Sequence, residues 1–376
     1  MNLVIPVKEL TKRQRPFSAF QIQVTSRCNL RCIMCPKTTF SKEWVMGDMS
    51  METYSKISRY FPLVEEVYLD AWGEPLLNPH IWEMAALARK AGCSVGITTN
   101  GTLLTEDAVA QIIRLVDVIG ISIDGATPYT YEQIRIGARF DRVLDNVKAL
   151  LAARRKARQE KPFVSLLFIK MKENINELPA FIELAGRLGV DEVIASNLSY
   201  VAKFEDDNRR TFSLNASCRE FTKSVEEARG KAEKYNLSFR VYPQRPRSIP
   251  YCEARPLEEL YISWNGDVSP CVYLNLPLKV KLIPRIYHGR TYNVPCTSFG
   301  NVREEDLLAI WEKEAYRRFR DYFAIRMQTC YQISGYTHFG VTDDGGFKDV
   351  DEEAQRMLRQ QPLPNVCRTC YKAQGI

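Results

Sequence analysis

The chain has 376 residues, of which 45% are apolar and 26% charged, as in an ordinary globular protein. Its length predicts two or three domains with ample core. No apolar run reaches the roughly 18 residues of a membrane span, and the segment 1–17 lacks the apolar core of a signal peptide. The net charge of +7 is modest, and the basic run 154–161 has no interleaved aromatic residues. We therefore expect a cytoplasmic protein with neither a membrane nor a nucleic acid as partner.

Short apolar runs alternate with helical patterns between residues 18 and 200. Such alternation predicts parallel strands with helical crossovers, in a sheet that is buried on both faces. Six units of this kind indicate an α/β fold, a partial (β/α)6 TIM-like barrel with its chemistry at the carboxyl ends of the strands. The six runs are 20–26, 66–70, 94–100, 117–124, 163–170 and 191–196.

The composition changes after residue 200, and the rest of the chain reads as two further regions. Residues 201–250 are predicted to be a linker that contains one helix, at 216–235. Residues 251–376 are predicted to be an α+β domain with a long insertion. Its hairpin lies at 257–271, where Asn265 and Gly266 form the dipeptide that type I′ turns favour, and an amphipathic helix follows at 303–323.

Three cysteines stand within eight positions directly after the first predicted strand, as Cys28, Cys32 and Cys35 in a C-x3-C-x2-C pattern. The chain has 11 cysteines, an odd number, which in a reducing cytosol favours metal binding or catalysis over disulfides. Zinc is one alternative, but structural zinc usually takes four protein ligands, and the next cysteine is Cys93. A four-iron cluster held by three thiolates instead leaves one iron open for a small chelating ligand.

This loop resembles that of the radical S-adenosylmethionine superfamily, and further motifs follow it in order. They are WGEP at 72–75, TTNG at 98–101 and SIDG at 122–125. The resemblance implies a 4Fe-4S cluster whose open iron binds the methionine part of S-adenosylmethionine. Reductive cleavage then gives a 5′-deoxyadenosyl radical that abstracts hydrogen from a substrate. It also implies a reductant such as ferredoxin or flavodoxin as partner.

The same resemblance assigns contacts with S-adenosylmethionine. Gly73 and Glu74 would hold its amino group, although Trp72 stands where the family has glycine. Ser122 would touch the ribose, whereas Asp124 either joins it or caps a turn. Arg135 would pair with the methionine carboxylate, or lie on a helix surface. The expected cofactor-binding residues are Gly73, Glu74, Asn100, Ser122, Asp124 and Arg135.

Four further cysteines provide enough thiolates for a second, fully ligated cluster: Cys252, Cys271, Cys367 and Cys370. The first two, with Gly266 between them, form a C-x13-G-x4-C pattern that resembles the SPASM/twitch extension of radical enzymes. The C-x2-C-x5-C-x3-C run of a full SPASM domain is absent, which favours one auxiliary 4Fe-4S cluster. Zinc is the alternative at these four. Cys296 and Cys330 are either ligands of another cluster or lone thiols.

A closed auxiliary cluster can accept an electron from a substrate radical, which predicts oxidation or cross-linking. The long insertion between 272 and 366 favours a peptide or protein substrate, bound by strand addition. A carbohydrate or aminocyclitol dehydrogenase and a maturase of a metallocofactor enzyme are the alternatives. An electron-transfer scaffold and an RNA-modifying enzyme are also considered. Cys218 is a candidate hydrogen donor, and His288 and His338 are candidate acid–base groups.

Overall fold

The computed structural model describes residues 15–212, 219–334 and 352–376. Cys218 and His338 lie outside these described residues. The strands are numbered in chain order. The short strands Arg31–Cys32 and Arg135–Ile136, which pair with each other, are left unnumbered. The numbered strands are β1 Phe17–Ile22, β2 Val64–Tyr68, β3 Ser94–Thr99, β4 Val118–Ser122, β5 Phe163–Lys170, β6 Glu192–Asn197, β7 Ser238–Val241, β8 Glu259–Ile262, β9 Asp267–Ser269, β10 Leu282–Tyr287, β11 Arg290–Pro295 and β12 Gly300–Asn301.

One ten-stranded sheet forms the centre of the protein, in the order β12-β9-β8-β1-β2-β3-β4-β5-β6-β7. The run from β8 to β7 is parallel throughout, and only β9 and β12 are antiparallel to their neighbours. The six predicted apolar runs provide β1 to β6. Because parallel strands share one direction, their carboxyl ends line the same edge of the sheet. The predicted mixed α/β fold with a parallel sheet core is confirmed.

Helices follow most of the parallel strands, as crossover connections require. The α-helices are α1 Pro36–Thr39, α2 Met51–Ser58, α3 Ile81–Lys90, α4 Glu106–Leu115, α5 Pro128–Ile134, α6 Phe140–Lys156, α7 Leu178–Leu188, α8 Phe204–Arg209, α9 Arg219–Tyr235, α10 Leu307–Glu312, α11 Glu314–Ser334 and α12 Glu352–Gln360.

Helix α4 shows how the local sequence sets these elements. Thr105 is its N-cap, and the side chain accepts a hydrogen bond from Ala108 N, which satisfies one of the free amides of the first turn. Val109, Ile112 and Leu115 are buried and recur every three or four residues, so one face of the helix packs on the sheet. None of the described helices is long and apolar enough to cross a membrane.

The C-terminal region continues the same sheet. Strand β8 pairs in parallel with β1, from Ala19 opposite Glu259 to Ile22 opposite Ile262. The predicted hairpin is present as β8 and β9, but its turn is not type I′. Gly266 alone in the loop has a positive φ, of 91°, and its N–H donates to Ser263 O, which is a type I turn closed by a left-handed glycine.

Two regions differ from the sequence predictions. Residues 201–250, expected to be a linker with one helix, also contribute β7, which pairs with β6. The helix expected at 303–323 is instead two helices, α10 and α11. They separate at Lys313, whose backbone is extended and whose Nζ donates to Phe299 O at 2.9 Å and bridges to Glu305 at 2.6 Å. These tertiary contacts override the helical pattern of the sequence.

Candidate active site

A cavity of about 280 Å³ lies at the carboxyl ends of the parallel strands. Residues 71–74 after β2, 98–100 at the end of β3 and 196–200 at the end of β6 contribute to its lining. All three cysteines of the loop, Cys28, Cys32 and Cys35, also line it. The predicted position of the chemistry, at this edge of the sheet, matches the position of the cavity.

The cysteine loop is held in place by backbone pairing. Cys32 is paired with Arg135 in a short antiparallel ladder, and Ile33 N donates to Ile134 O at 3.0 Å. Cys35 N donates to Cys32 O at 3.1 Å, and Cys35 is the N-cap of the four-residue helix α1. Because both ends of the loop are fixed, the three cysteines are held at one cavity.

The electrostatics of the three thiols fit a cationic metal cluster. Burial raises the pKa of Cys28, of Cys32 and of Cys35, the last to about 12. The Cys28 sulfur raises the pKa of Cys32 further, and both of these sulfurs raise that of Cys35. Three adjacent thiolates therefore need a strong positive charge beside them, which a metal cluster supplies. The donors to sulfur are weak: Leu30 N at 3.5 Å and Asn100 Nδ2 at 3.9 Å on Cys28, and Arg135 Nη1 at 3.9 Å on Cys32.

A single metal ion fits less well. Within the described ranges, no three His, Cys, Asp or Glu side chains are close enough together to hold one metal ion. In a four-iron cluster each thiolate binds a different iron, so the sulfurs stand wider apart than the ligands of one zinc ion. The donor set of three sulfurs with one open position is that of such a cluster.

Gly73 and Glu74 lie opposite the cysteine loop. Gly73 has φ of 147°, and a Cβ there would be 2.2 Å from Thr25 O, so this position requires glycine. Glu74 is 1% exposed, and its carboxylate accepts from Asn100 N at 2.8 Å and Thr99 Oγ1 at 2.7 Å. Burial raises the pKa of Glu74 to about 6, although these hydrogen bonds oppose the shift. Glu74 is therefore a buried anion near neutral pH.

The other predicted cofactor contacts separate into two groups. Asn100, Ser122 and Arg135 line the cavity, whereas Asp124 is not among its lining residues. Asp124 is fully buried, pairs with Arg135 at 2.7 Å and accepts from Ile169 N at 2.7 Å. Burial disfavours charge on Arg135, but the Asp124 carboxylate outweighs it and raises the pKa of Arg135, so the pair is ionic. Arg135 thus has an internal partner in addition to the predicted external carboxylate.

The four C-terminal cysteines also come together. Burial is the largest cause that raises the pKa of Cys252, of Cys271 to about 12, and of Cys367. The next causes are the neighbouring thiols of the same set, including Cys370. Residues separated by more than a hundred positions therefore form one buried group of four sulfurs, the number that a closed four-iron cluster needs.

Arg285 of β10 supports this group. It is 2% exposed, and its guanidinium donates to Tyr273 O at 3.1 Å, Thr369 O at 3.4 Å and Val366 O at 3.5 Å. Its charge also opposes the raised pKa of Cys271 and Cys367. The arginine thus fixes the two segments that carry auxiliary cysteines and places a positive charge beside them. The sequence alone gave no sign of this role.

Cys296 and Cys330, considered above as ligands of a further cluster, belong to neither of the two cysteine sets. Cys296 packs against a separate apolar cluster that contains Trp44, Tyr200 and Ile283. Cys330 is fully buried in α11. Burial lowers the pKa of Arg326, and the nearby Cys330 thiol opposes this shift. None of the ten described cysteines forms a disulfide.

Sequence reasoning assigned no role to the aromatic residues of the cavity lining. Trp72, Tyr200 and Tyr273 form a wall of three rings, called the aromatic wall below, and Lys372 lies beside it. Tyr200 follows a predicted strand, which is a usable signal for a site residue. Tyr273 and Lys372 come from the C-terminal region, and only the tertiary fold brings them here.

Comparison with known proteins gives matches over both parts of the chain. The family model of the radical SAM superfamily matches residues 22–185. The model of the SPASM iron–sulfur cluster-binding domain matches residues 252–332. The second match ends before Cys367 and Cys370.

Individual relatives cover most of the chain. A "tungsten-containing aldehyde ferredoxin oxidoreductase cofactor-modifying protein" of Pyrococcus furiosus is 31% identical, over 80% of this chain and 82% of its own. An "AdoMet-dependent heme synthase" of Methanosarcina barkeri is 25% identical over 80% of this chain and 83% of its own. The fold is similar to that of Streptococcus suis SuiB bound to S-adenosylmethionine, with a TM-score of 0.58, 16% identity, and coverage of 84% of this chain and 71% of SuiB.

Proposed function

This chain belongs to the radical S-adenosylmethionine superfamily and carries a SPASM domain, and we propose that it oxidises a substrate held between two iron–sulfur clusters. It is an enzyme that uses S-adenosylmethionine and a 4Fe-4S cluster, and its SPASM domain binds auxiliary iron–sulfur clusters. When bound, these groups supply a carbon radical that takes a hydrogen atom from the substrate and an acceptor for the electron that the substrate then loses.

Cys28, Cys32 and Cys35 would hold the cluster with the open iron, since their three buried thiols face the cavity. Glu74 and Arg135 would orient the methionine part, because they place one anion and one cation on the lining of the same cavity. Cys252, Cys271, Cys367 and Cys370 would hold the auxiliary cluster.

The observation that carries the proposal is that one cavity is lined both by the three-cysteine loop and by near neighbours of auxiliary cysteines. Tyr273 and Lys372 line it together with the three-cysteine loop. Each of them stands two positions after an auxiliary cysteine, Cys271 or Cys370. A substrate in this cavity would therefore contact the three-cysteine loop and two residues that neighbour auxiliary cysteines, which suits hydrogen abstraction followed by electron transfer.

For the substrate, we propose the organic part of a metalloenzyme cofactor. The relative with 31% identity is named for cofactor modification, and its match extends over four-fifths of both chains.

Modification of a peptide or protein, predicted from the long insertion, is a second candidate. The described part of that insertion contains a two-stranded hairpin, β10 and β11. The outer strand, β11, is exposed at five of its six residues and within the described chain pairs with β10 alone. An exposed strand edge of this kind can take up an extended peptide.

The test of the chemistry is anaerobic incubation of the reconstituted enzyme with dithionite and S-adenosylmethionine. We expect 5′-deoxyadenosine from the wild type and none from Cys32→Ser. Cys93→Ser is the matched control, since Cys93 is a buried thiol outside both sets that donates to Phe61 O and Val64 O. Absence of 5′-deoxyadenosine from the fully reconstituted wild type would contradict the proposal.

To test the substrate class, an extract of the source cells is separated by ultrafiltration into a small-molecule fraction and a macromolecular fraction. Addition of the small-molecule fraction should raise 5′-deoxyadenosine formation above the rate without substrate. If only the macromolecular fraction raises it, the peptide or protein candidate is correct instead.

A further inference from the structure

The three rings of the aromatic wall all belong to the cavity lining. The rings of Tyr200 and Tyr273 are stacked at 14°, with centroids 6.1 Å apart, and Trp72 stands edge-on to both at 5.9 and 5.7 Å. Trp72 Nε1 donates to Val272 O at 2.9 Å and Tyr200 Oη donates to Pro284 O at 2.8 Å. Since these polar atoms are already bonded to the backbone, neither is left to hydrogen-bond a ligand, and the half-buried Trp72 contributes ring carbon to the lining.

Lys372 lies beside this wall with its charge fixed in place. Its Nζ donates to Glu253 Oε2 at 2.7 Å and stands 4.4 Å from the ring centroid of Tyr242. The contact with the Glu253 carboxylate is an ion pair, and it holds the ammonium group of Lys372 in a fixed position. An ammonium group has three N–H donors, and Glu253 takes one of them.

Glu74 carries the single carboxylate among the described residues that line the cavity. Among the described lining residues 196–200, 273 and 372, Lys372 is the single charged side chain. Glu253 pairs with it but is not part of the lining. Asn197 is 4% exposed, donates to Pro243 O at 2.7 Å, and leaves its Oδ1 without a hydrogen-bond partner. A buried acceptor with no partner costs free energy until a donor arrives, which points to a ligand.

We infer that the part of the cavity at the aromatic wall and Lys372 takes a planar conjugated molecule with an anionic oxygen group. The ring system packs on the aromatic wall, the anionic group binds Lys372, and an N–H or O–H of the molecule reaches Asn197 Oδ1. This inference rests on the proposed function, because it names the substrate class of the same cavity. It describes binding alone and requires no further reactant.

The inference is tested by calorimetric titration, under argon, of the reconstituted enzyme saturated with S-adenosylmethionine. The probes are 1-naphthoate, its uncharged amide 1-naphthamide, 1-naphthyl phosphate and cyclohexanecarboxylate. We expect 1-naphthoate to bind about tenfold more tightly than 1-naphthamide, as for one charge-assisted hydrogen bond, and about tenfold more tightly than cyclohexanecarboxylate. Tighter binding of 1-naphthyl phosphate than of 1-naphthoate supports the inference and identifies the anion as a phosphate.

Variants locate the effect. Lys372→Gln should bind 1-naphthoate and 1-naphthamide equally, and Lys372→Arg should keep the preference for 1-naphthoate. Lys90→Gln, which removes an exposed charge of α3, should behave as the wild type. Equal binding of 1-naphthoate and 1-naphthamide by the wild type overturns the inference, even if Lys372→Gln does not fold. So does a preference that survives in Lys372→Gln, or cyclohexanecarboxylate that binds as well as 1-naphthoate.

The proposed function is judged separately. Formation of 5′-deoxyadenosine without substrate needs no ligand at the aromatic wall. If the probes fail while this product forms, the inference alone is wrong.

Discussion

Gly73 is the residue at which backbone geometry most directly constrains the site. We expect Gly73→Ala to destabilise the protein by at least about 3 kcal/mol, because it combines an unfavourable φ with a clash on Thr25 O. Gly189→Ala is the matched control. Gly189 has φ of 77° and nothing within 4 Å of an added Cβ, so Gly189→Ala should lower the free energy of unfolding by only about 1 kcal/mol. Thermal unfolding under argon gives the comparison, and equal losses would show that the contact with Thr25 is unimportant.

The raised pKa of Glu74 leads us to expect that binding of S-adenosylmethionine depends on pH. Its pKa is raised to about 6, so the carboxylate is lost as the pH falls through this value. Affinity for S-adenosylmethionine should be constant above about pH 7 and about tenfold weaker at pH 5, one unit below the pKa. Calorimetric titration from pH 5 to 8 measures this. Glu74→Gln should bind weakly at every pH, whereas Glu83→Gln, at an exposed position on α3, should follow the wild type. An affinity that stays constant down to pH 5 would exclude Glu74 as the group that holds the amino group.

Single residues of the site were predictable where a local motif carries them. The spacing of Cys28, Cys32 and Cys35 within eight positions marked them as a site, and Glu74 was assigned from the resemblance of WGEP at 72–75 to a family motif. Lys372 and Arg285 were missed because their roles depend on contacts with Glu253 and with the carbonyls of 273, 366 and 369. No local pattern encodes such long-range contacts.

At the scale of elements, β10 contributes Arg285 to the auxiliary cysteines. A nearby positive charge stabilises the reduced, more negative form of a cluster and so raises its reduction potential. We expect Arg285→Met to lower the potential of the auxiliary cluster by roughly 50 mV, from the interaction of unit charges at an intermediate dielectric constant. A redox titration followed by electron paramagnetic resonance measures it.

Two further variants isolate the charge of Arg285. Arg285→Lys should shift the potential less, since it keeps the charge. Arg290→Met, which removes an exposed charge from β11, should leave the potential unchanged. An unchanged potential in Arg285→Met would show that the arginine only positions the backbone.

Elements with a strong apolar pattern were predicted within a few residues. The run 163–170 coincides with β5, and the run 94–100 extends one residue beyond β3. Strand β7, with the sequence SFRV, was not predicted because it has four residues and only two of them are apolar. The parallel pairing of β8 with β1 was also missed, because the sequence shows a hairpin but not which other strand it joins.

At the scale of the whole molecule, the sheet makes the two matched regions one structural unit. Strand β1 pairs with β2 on one side and with β8 on the other, so the C-terminal region covers an edge of the N-terminal sheet. We therefore expect a single cooperative transition in scanning calorimetry of the reconstituted protein. Two resolved transitions would show that the regions fold independently.

The metal content follows from the two cysteine sets. Anaerobic reconstitution should give about eight irons per chain, and Cys367→Ser/Cys370→Ser should give about four. Cys296→Ser should remain at about eight, because Cys296 packs in a separate apolar cluster. About twelve irons in the wild type would instead indicate a third cluster, with Cys296 and Cys330 as its candidate ligands.

The central claim is that one of the two clusters has an open iron, at Cys28, Cys32 and Cys35, where S-adenosylmethionine binds. Electron paramagnetic resonance of the reduced protein, before and after addition of S-adenosylmethionine, tests it most directly. We predict that one cluster signal changes, that this signal persists in Cys367→Ser/Cys370→Ser, and that it is absent in Cys28→Ser/Cys32→Ser/Cys35→Ser. A wild-type spectrum that S-adenosylmethionine leaves unaltered, or a response that survives loss of all three cysteines, would contradict the account.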